Sequence, residues 1–125
     1  MSGDKIARRL AKTDAAQLTG LARLAALKRD RQMRDVVKLA QARAKTLRQL
    51  ERLSPATPLA PDAPELWQVT LQHNQWNENA RRSLNLNLAQ QTGAWLQARD
   101  AAARAVGQAE VLHRLSTHRR DDAGR

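Results

Sequence analysis

Four prolines, Pro55, Pro58, Pro61 and Pro64, fall within a ten-residue stretch, and the 125-residue chain has no others. Proline lacks an amide donor and its ring clashes with the preceding helical turn, so no helix can run through such a stretch. The segments on either side hold about fifty residues each, or about 75 Å apiece if wholly helical at 1.5 Å per residue. The chain must break near its middle, and nothing comparable breaks it elsewhere.

Both segments are built from helix formers. Ala, Leu, Gln, Arg, Lys and Glu make up most of the sequence. Hydrophobic residues reach 42%, but much of that is Ala, and the aromatics are three Trp with no Phe or Tyr. At about 25 cal/mol per Å² of apolar surface, an Ala methyl contributes far less than a buried Leu. The expectation is therefore long helix with a thin apolar seam rather than a thick globular core.

Periodicity sharpens this. In the second segment Leu66, Val69, His73, Trp76, Ala80, Leu84, Leu88, Gln91, Trp95, Ala98, Ala102, Ala105, Ala109 and Leu112 follow one another at steps of three or four. Alternation of those steps is the seam of a left-handed coiled coil. Three successive steps of four between Trp76 and Leu88 predict a local straightening of the supercoil. In the first segment Met33, Val37, Ala40, Ala44 and Leu47 keep the alternation, Leu50 and Leu53 extend it, and Leu18, Leu21 and Ala25 precede it. The charged run Lys28 to Arg31 interrupts it.

Two helices with one seam each, joined by a short connection, bury those seams most readily against each other. The predicted fold is all-α, a long antiparallel two-helix coiled-coil hairpin forming a single domain over residues 1–125. Helix one is expected over about 5–53, a proline-rich turn over 54–63, and helix two over about 64–118 before a frayed tail. Asp62 and Glu65 have the spacing of a capping box, with Pro64 in the first turn where its missing N–H costs nothing. Asp14 and Gln17 share that spacing, but Ile6 and Leu10 are helically placed upstream, so helix with fraying is expected from Asp4 to Thr13.

A net charge of +10 calls for acidic company: nucleic acid, a lipid surface or an acidic protein. Residues 1–62 hold fourteen Lys/Arg against six Asp/Glu, so +8 of the charge lies there. The absence of Cys removes disulfide and thiolate chemistry and fits a reducing compartment. No apolar run nears the ~20 residues needed to span a bilayer, and no secretory apolar core opens the sequence. The expected compartment is the cytoplasm.

No catalytic constellation emerges. His73, His113 and His118 are scattered without carboxylates at a recognised ligand spacing, so no metal site is expected. The five Gly are isolated and none precedes a Lys-Ser/Thr pair, which excludes a phosphate loop. Ser54, Ser83 and Ser116 lack a nucleophile elbow, and two thin helices offer no enclosed pocket. The chain reads as non-enzymatic, with no cofactor.

The remaining signals concern partners. Lys5, Arg8, Arg9 and Lys12 open the chain and Arg114, Arg119 and Arg120 lie near its end, so a hairpin brings both groups into one basic docking surface. Trp76 reads as seam packing, whereas Trp67, off the strict seam and beside the prolines, reads as a partner contact. Gly20, Gly93 and Gly107 lie inside predicted helices at about 0.8–1 kcal/mol each relative to Ala. Tolerance by the surrounding packing is the expected reason, and freedom to bend inside a partner the alternative.

The opening run from Leu21 to Arg31 and the helix from Trp67 to Leu112, carrying Trp76, Leu88, Trp95, Ala102 and Leu112, resemble the FliJ family of flagellar and type III secretion stalk proteins. The resemblance spans nearly the whole chain. It implies a central stalk, similar in shape to the rotor stalk of rotary ATPases, whose terminal end enters a hexameric export ATPase ring. The other end would meet the export gate at the membrane, and export chaperones are further implied partners. Carried onto this sequence, Arg8, Arg9, Leu10, Lys12, Leu112, Leu115, Arg119 and Arg120 would lie in the ring and Trp67 near the gate. Two other readings stand beside it. The basic surplus suits a hairpin that binds nucleic acid, although no stacking platform or base-reading motif accompanies it. A plain structural coiled coil that dimerises into a four-helix bundle fits the charge asymmetry poorly.

Overall fold

The computed structural model describes Ser2–Gly124. It is all-helical: α1 (Ser2–Arg52, 51 residues) and α2 (Trp67–Gly124, 58 residues) are joined by the proline segment and a 3-10 turn at Pro64–Leu66. No strand occurs among the described residues. The two helices are in contact, as in a helical hairpin. The prolines break the chain where the sequence requires, and helix continues through Asp4 to Thr13.

Both ends of α2 differ from expectation. At its start the capping box does not form: the residue before the 3-10 turn is Ala63, with no side-chain cap hydrogen bond. Instead Ala63 N–H donates to Ala60 C=O (3.3 Å) and Leu66 N–H to Ala63 C=O (3.1 Å). The 3-10 turn starts one residue later than a cap at Asp62 would place it, with Ala63 rather than Asp62 at the N-cap position. At its end α2 runs on through Arg119 and Arg120, past the predicted fraying point. No described residue has a positive φ.

The chain divides into two units, one of Met1–Val36 with Gln97–Arg125, the other Val37–Leu96. In the first unit, Ala11, Ala15, Leu18, Ala22, Ala25, Arg29, Gln32 and Val36 are the half-buried residues of α1 that recur at alternating steps of four and three. From α2 come Ala98, Ala102, Ala105, Ala109, Leu112 and Ser116 at the same steps, with Ala102, Ala105, Ala109 and Ser116 fully buried. Thr19 and Ser116 hydroxyls meet at 3.2 Å across the helices. Arg29 joins this seam, so the charged run that was expected to interrupt it does not.

In the second unit the half-buried or buried residues of α1 are Leu39, Ala40, Ala42, Arg43, Ala44, Thr46, Leu47 and Leu50, followed by Leu53, and Leu39, Arg43, Thr46, Leu50 and Leu53 among them recur at alternating steps of four and three. Those of α2 are Thr70, Asn74, Asn77, Ala80, Leu84, Leu88, Gln91, Thr92 and Trp95. Arg43 Nε donates to Thr92 Oγ1 at 2.9 Å, and its guanidinium carbon lies 5.6 Å from the Trp95 ring centre. Asn74 clamps the turn twice, accepting from Thr57 N–H (2.9 Å) and donating to Thr57 C=O (2.8 Å). Arg81 reaches the Ser54 carbonyl at 3.4 Å.

The predicted seam is therefore right from Ala80 to Leu112 on α2, and on α1 at Leu18, Ala25, Ala40, Ala44, Leu47, Leu50 and Leu53, all half-buried or buried. Leu21, Met33 and Val37 are exposed on α1. On α2 Leu66, Val69, His73 and Trp76 face outward while Thr70, Asn74 and Asn77 turn in. Of the steps of four between Trp76 and Leu88, those from Ala80 to Leu84 and from Leu84 to Leu88 belong to the enclosed face, and only Trp76 lies off it. The physical reason is rigidity. One residue is roughly 100° of helix rotation, and an unbroken helix carries the face fixed at Leu84, Leu88 and Trp95 straight back to Asn77, Asn74 and Thr70.

Candidate partner-binding surfaces

The resemblance placed eight residues at the terminal end, and all eight belong to the first unit. Arg8, Arg9, Leu10 and Lys12 are exposed near the start of α1, and Leu115, Arg119 and Arg120 near the end of α2. Leu112 is half-buried in the seam and offers only part of its side chain. Arg119 lines a shallow depression with Asp14, Gln17, Leu18 and Leu21, which brings the late residues of α2 against the early part of α1. Among the described residues, Arg8, Arg9, Lys12, Arg119 and Arg120 make no ion pair. Fifteen Lys/Arg against eight Asp/Glu give this unit a net +7, whereas seven against four leave the other +3.

The ion pairs that do form are exposed and local. Arg29 pairs with Asp30, and Arg114 with Glu110 and Arg82 with Glu78, the last two one turn apart. Solvent screening leaves such pairs little influence on stability.

At the turn, Trp67 is 38% exposed, and its indole N–H donates to the Ala60 carbonyl, holding the turn segment against the start of α2. Part of the ring remains open to a partner. Trp76, expected in the seam, is 62% exposed, with only His73 stacked on it at 6.4 Å between ring centres. His73 in turn lies 3.4 Å from the Asn77 amide nitrogen. With Leu66 and Val69 also exposed, Trp76 belongs to an outward apolar stripe that sequence reasoning assigned to the interior. Contiguous apolar surface of this kind marks interaction sites.

A second exposed stripe extends past Leu10 and Leu115, which the resemblance had marked as partner-binding, to Leu21, Leu24 and Val111, which sequence reasoning missed. Leu10, Leu21 and Leu24 on α1 and Val111 and Leu115 on α2 are all largely open to solvent. The signal was present, since apolar residues occupy two adjacent stripes of α1. The sequence of one helix does not say which stripe its neighbour covers.

Among the described residues no group of three or more His, Cys, Asp or Glu could hold a metal ion. No described helix is long and apolar enough to cross a membrane. No family model matches the chain, and neither a curated protein nor a solved structure does.

Proposed function

We propose that this chain is a non-enzymatic stalk of a flagellar or type III protein-export apparatus, folded as an antiparallel two-helix coiled coil. The antiparallel sense is supported within the second unit, where Arg43 meets Thr92 and, further along, Ser54 meets Arg81. As the number rises on one side it falls on the other. The coiled-coil reading is supported by the alternating steps of four and three at which residues of α1 and α2 are enclosed.

The observation that carries the functional reading is the meeting of α1's early residues and α2's late ones in one strongly basic unit, linked by the Thr19–Ser116 contact. Arg8, Arg9, Leu10, Lys12, Leu115, Arg119 and Arg120 then form a solvent-facing cationic end that enters the export ATPase ring. Its charge steers it to an acidic ring interior. The turn, with Trp67 partly exposed, contacts the export gate, and export chaperones bind along the rod. The stalk works in the cytoplasm, held to the membrane through the export apparatus.

The test is co-sedimentation of the purified chain with the export ATPase of the same organism, together with ATP hydrolysis. Binding and a rise in hydrolysis are expected, and Arg8→Glu with Arg119→Glu should abolish both. Retention of nucleic acid instead, lost at moderate salt, would replace this reading with the nucleic-acid-binding one.

A further inference from the structure

The outer side of α1 in the first unit carries apolar residues that the hairpin's own packing does not cover. Thr13, Gln17, Gly20, Leu24 and Leu27 each follow a seam residue of α1 by two positions. Two residues are roughly 200° of helix rotation, so this stripe lies on the reverse of the seam, with Leu21 between the two. The same alternation of four and three carries it upstream to Leu10 and Ile6. Ile6, Leu10, Leu24 and Leu27 are between 57% and 64% exposed. From Ile6 to Leu27 the stripe extends about 32 Å.

No residue of this stripe is charged, and its polar members are muted. Thr13 Oγ1 donates to the Arg9 carbonyl of its own helix at 2.9 Å. Gly20 has no side chain, and a Cβ added there would meet nothing within 4 Å. Bases border the stripe instead. Lys5, Arg9, Lys12 and Arg23 run along one edge, and Lys28, Arg31 and Arg34 gather at its far end. Residues 5–34 hold nine Lys/Arg against two Asp, and one of those acids, Asp30, is paired with Arg29. Among the described residues none of the seven bordering bases makes an ion pair.

We propose that this side of α1 lies flat on an anionic phospholipid surface, with Ile6, Leu10, Leu24 and Leu27 inserted at the acyl-chain boundary and the bordering bases reaching the headgroup phosphates. Helices with Leu on one face and Lys/Arg beside it bind membranes in this way. Long basic side chains keep their charge at headgroup level while their stems lie on apolar surface. Each Lys or Arg beside such a surface strengthens binding roughly five-fold at modest salt. Shape and charge select this occupant. The face is the convex side of one helix, and the shallow depression on it is lined by Gln17, Gly20, Leu21, Arg23 and Leu24, all of α1. A partner helix would have to match the gap of Thr13, Gln17 and Gly20 between the two apolar pairs, whereas a lipid surface conforms to it. Nucleic acid would leave the four apolar side chains without contact, and a second copy would set like charge against like. The inference does not rest on the stalk reading. It shares Arg9, Leu10 and Lys12 with it, so lipid and ring are alternative occupants of those three residues.

The test is flotation of the full chain with vesicles of phosphatidylcholine, alone or with about 30% phosphatidylglycerol, over a range of salt. The chain should float with the anionic vesicles and not with the neutral ones. Charge alone carries a +10 chain to such a surface, so the decisive readouts are apolar. Leu24→Gln with Leu27→Gln leaves the charge unchanged and should weaken binding at least about tenfold. Leu86→Gln, at a similarly exposed leucine of the second unit, should not. The chain lacks Cys, so Leu24→Cys accepts a single environment-sensitive dye, whose emission should move to shorter wavelength on anionic vesicles. Trp67, Trp76 and Trp95 all lie in the second unit, so their own emission should stay put. Undiminished binding of the double Gln variant, a dye that does not shift, or a shift of the Trp emission in its place would overturn the proposal. So would a chain that fails to float yet binds an acidic helical peptide through Leu24 and Leu27.

Discussion

Replacing Arg43 with Ala tests the unusual idea that a guanidinium helps hold a two-helix seam together. Arg43 is half-buried at an enclosed position of α1, bonded through Nε to Thr92 Oγ1 at 2.9 Å and set over the Trp95 ring at 5.6 Å. A charge-assisted hydrogen bond at a half-exposed site contributes about 1 kcal/mol, at the low end of its range. The cation–π contact adds about 0.5–1 kcal/mol. Arg43→Ala should therefore cost about 2 kcal/mol, since the slightly better helix propensity of Ala offsets little of this. Arg43→Leu should recover about half of that loss, because an apolar side chain of similar length fills the seam without desolvating a charge. Urea unfolding followed by far-ultraviolet circular dichroism measures each value. Double-mutant cycles with Thr92→Val and Trp95→Leu apportion them, and couplings below about 0.3 kcal/mol in both cycles would refute the reasoning.

Other substitutions probe the turn, the polar seam and the glycines. Asn74→Ala removes both bonds to Thr57 and should cost about 1–3 kcal/mol; hydrogen exchange at the Thr57 amide should quicken with it. Asn77 is 5% exposed with only the His73 ring nitrogen as a side-chain partner; Asn77→Leu should raise stability by about 1 kcal/mol or more in the same urea assay, through apolar burial and removal of a poorly paired amide. Gly20→Ala and Gly107→Ala meet no steric obstacle and should each stabilise by up to about 1 kcal/mol, read as a higher thermal midpoint.

The prolines made the two-helix organisation readable, because no neighbouring sequence can restore a helix through Pro55 to Pro64. The seam from Leu84 to Leu112 was readable because only one stripe of α2 is consistently apolar there. Elsewhere the pattern was ambiguous. Val36 and Val37, or Leu18 and Leu21, are almost equally good candidates for burial until the facing helix is known. Thr46, Asn77 and Arg43 also defeat a rule that looks for hydrophobes, because backbone and side-chain partners make them tolerable inside: Thr46 Oγ1 donates to the Ala42 carbonyl at 3.3 Å. The capping box failed for a local reason, since the 3-10 turn puts Ala63 rather than Asp62 at the N-cap position. The cationic terminal group was readable once the chain was known to reverse. The open space around Gly20 and Gly107 was not, since an exposed glycine and a packed one look alike in sequence.

The inflexible face of α2 makes the protein sensitive to chain length in an unusual way. Losing one residue between Asn77 and Leu84 would not shorten α2 appreciably, yet it would turn the upstream part of the helix by roughly a quarter revolution. Val69, His73 and Trp76 would then drop into the places now held by Thr70, Asn74 and Asn77, and the indole fluorescence of Trp76 would move to the blue. The gain in oiliness would be opposed by the loss of the Asn74 clasp on Thr57. A hairpin poised in this way is specified as much by its residue count as by its residue types, and a homologue one residue longer or shorter there would wear a different side outward.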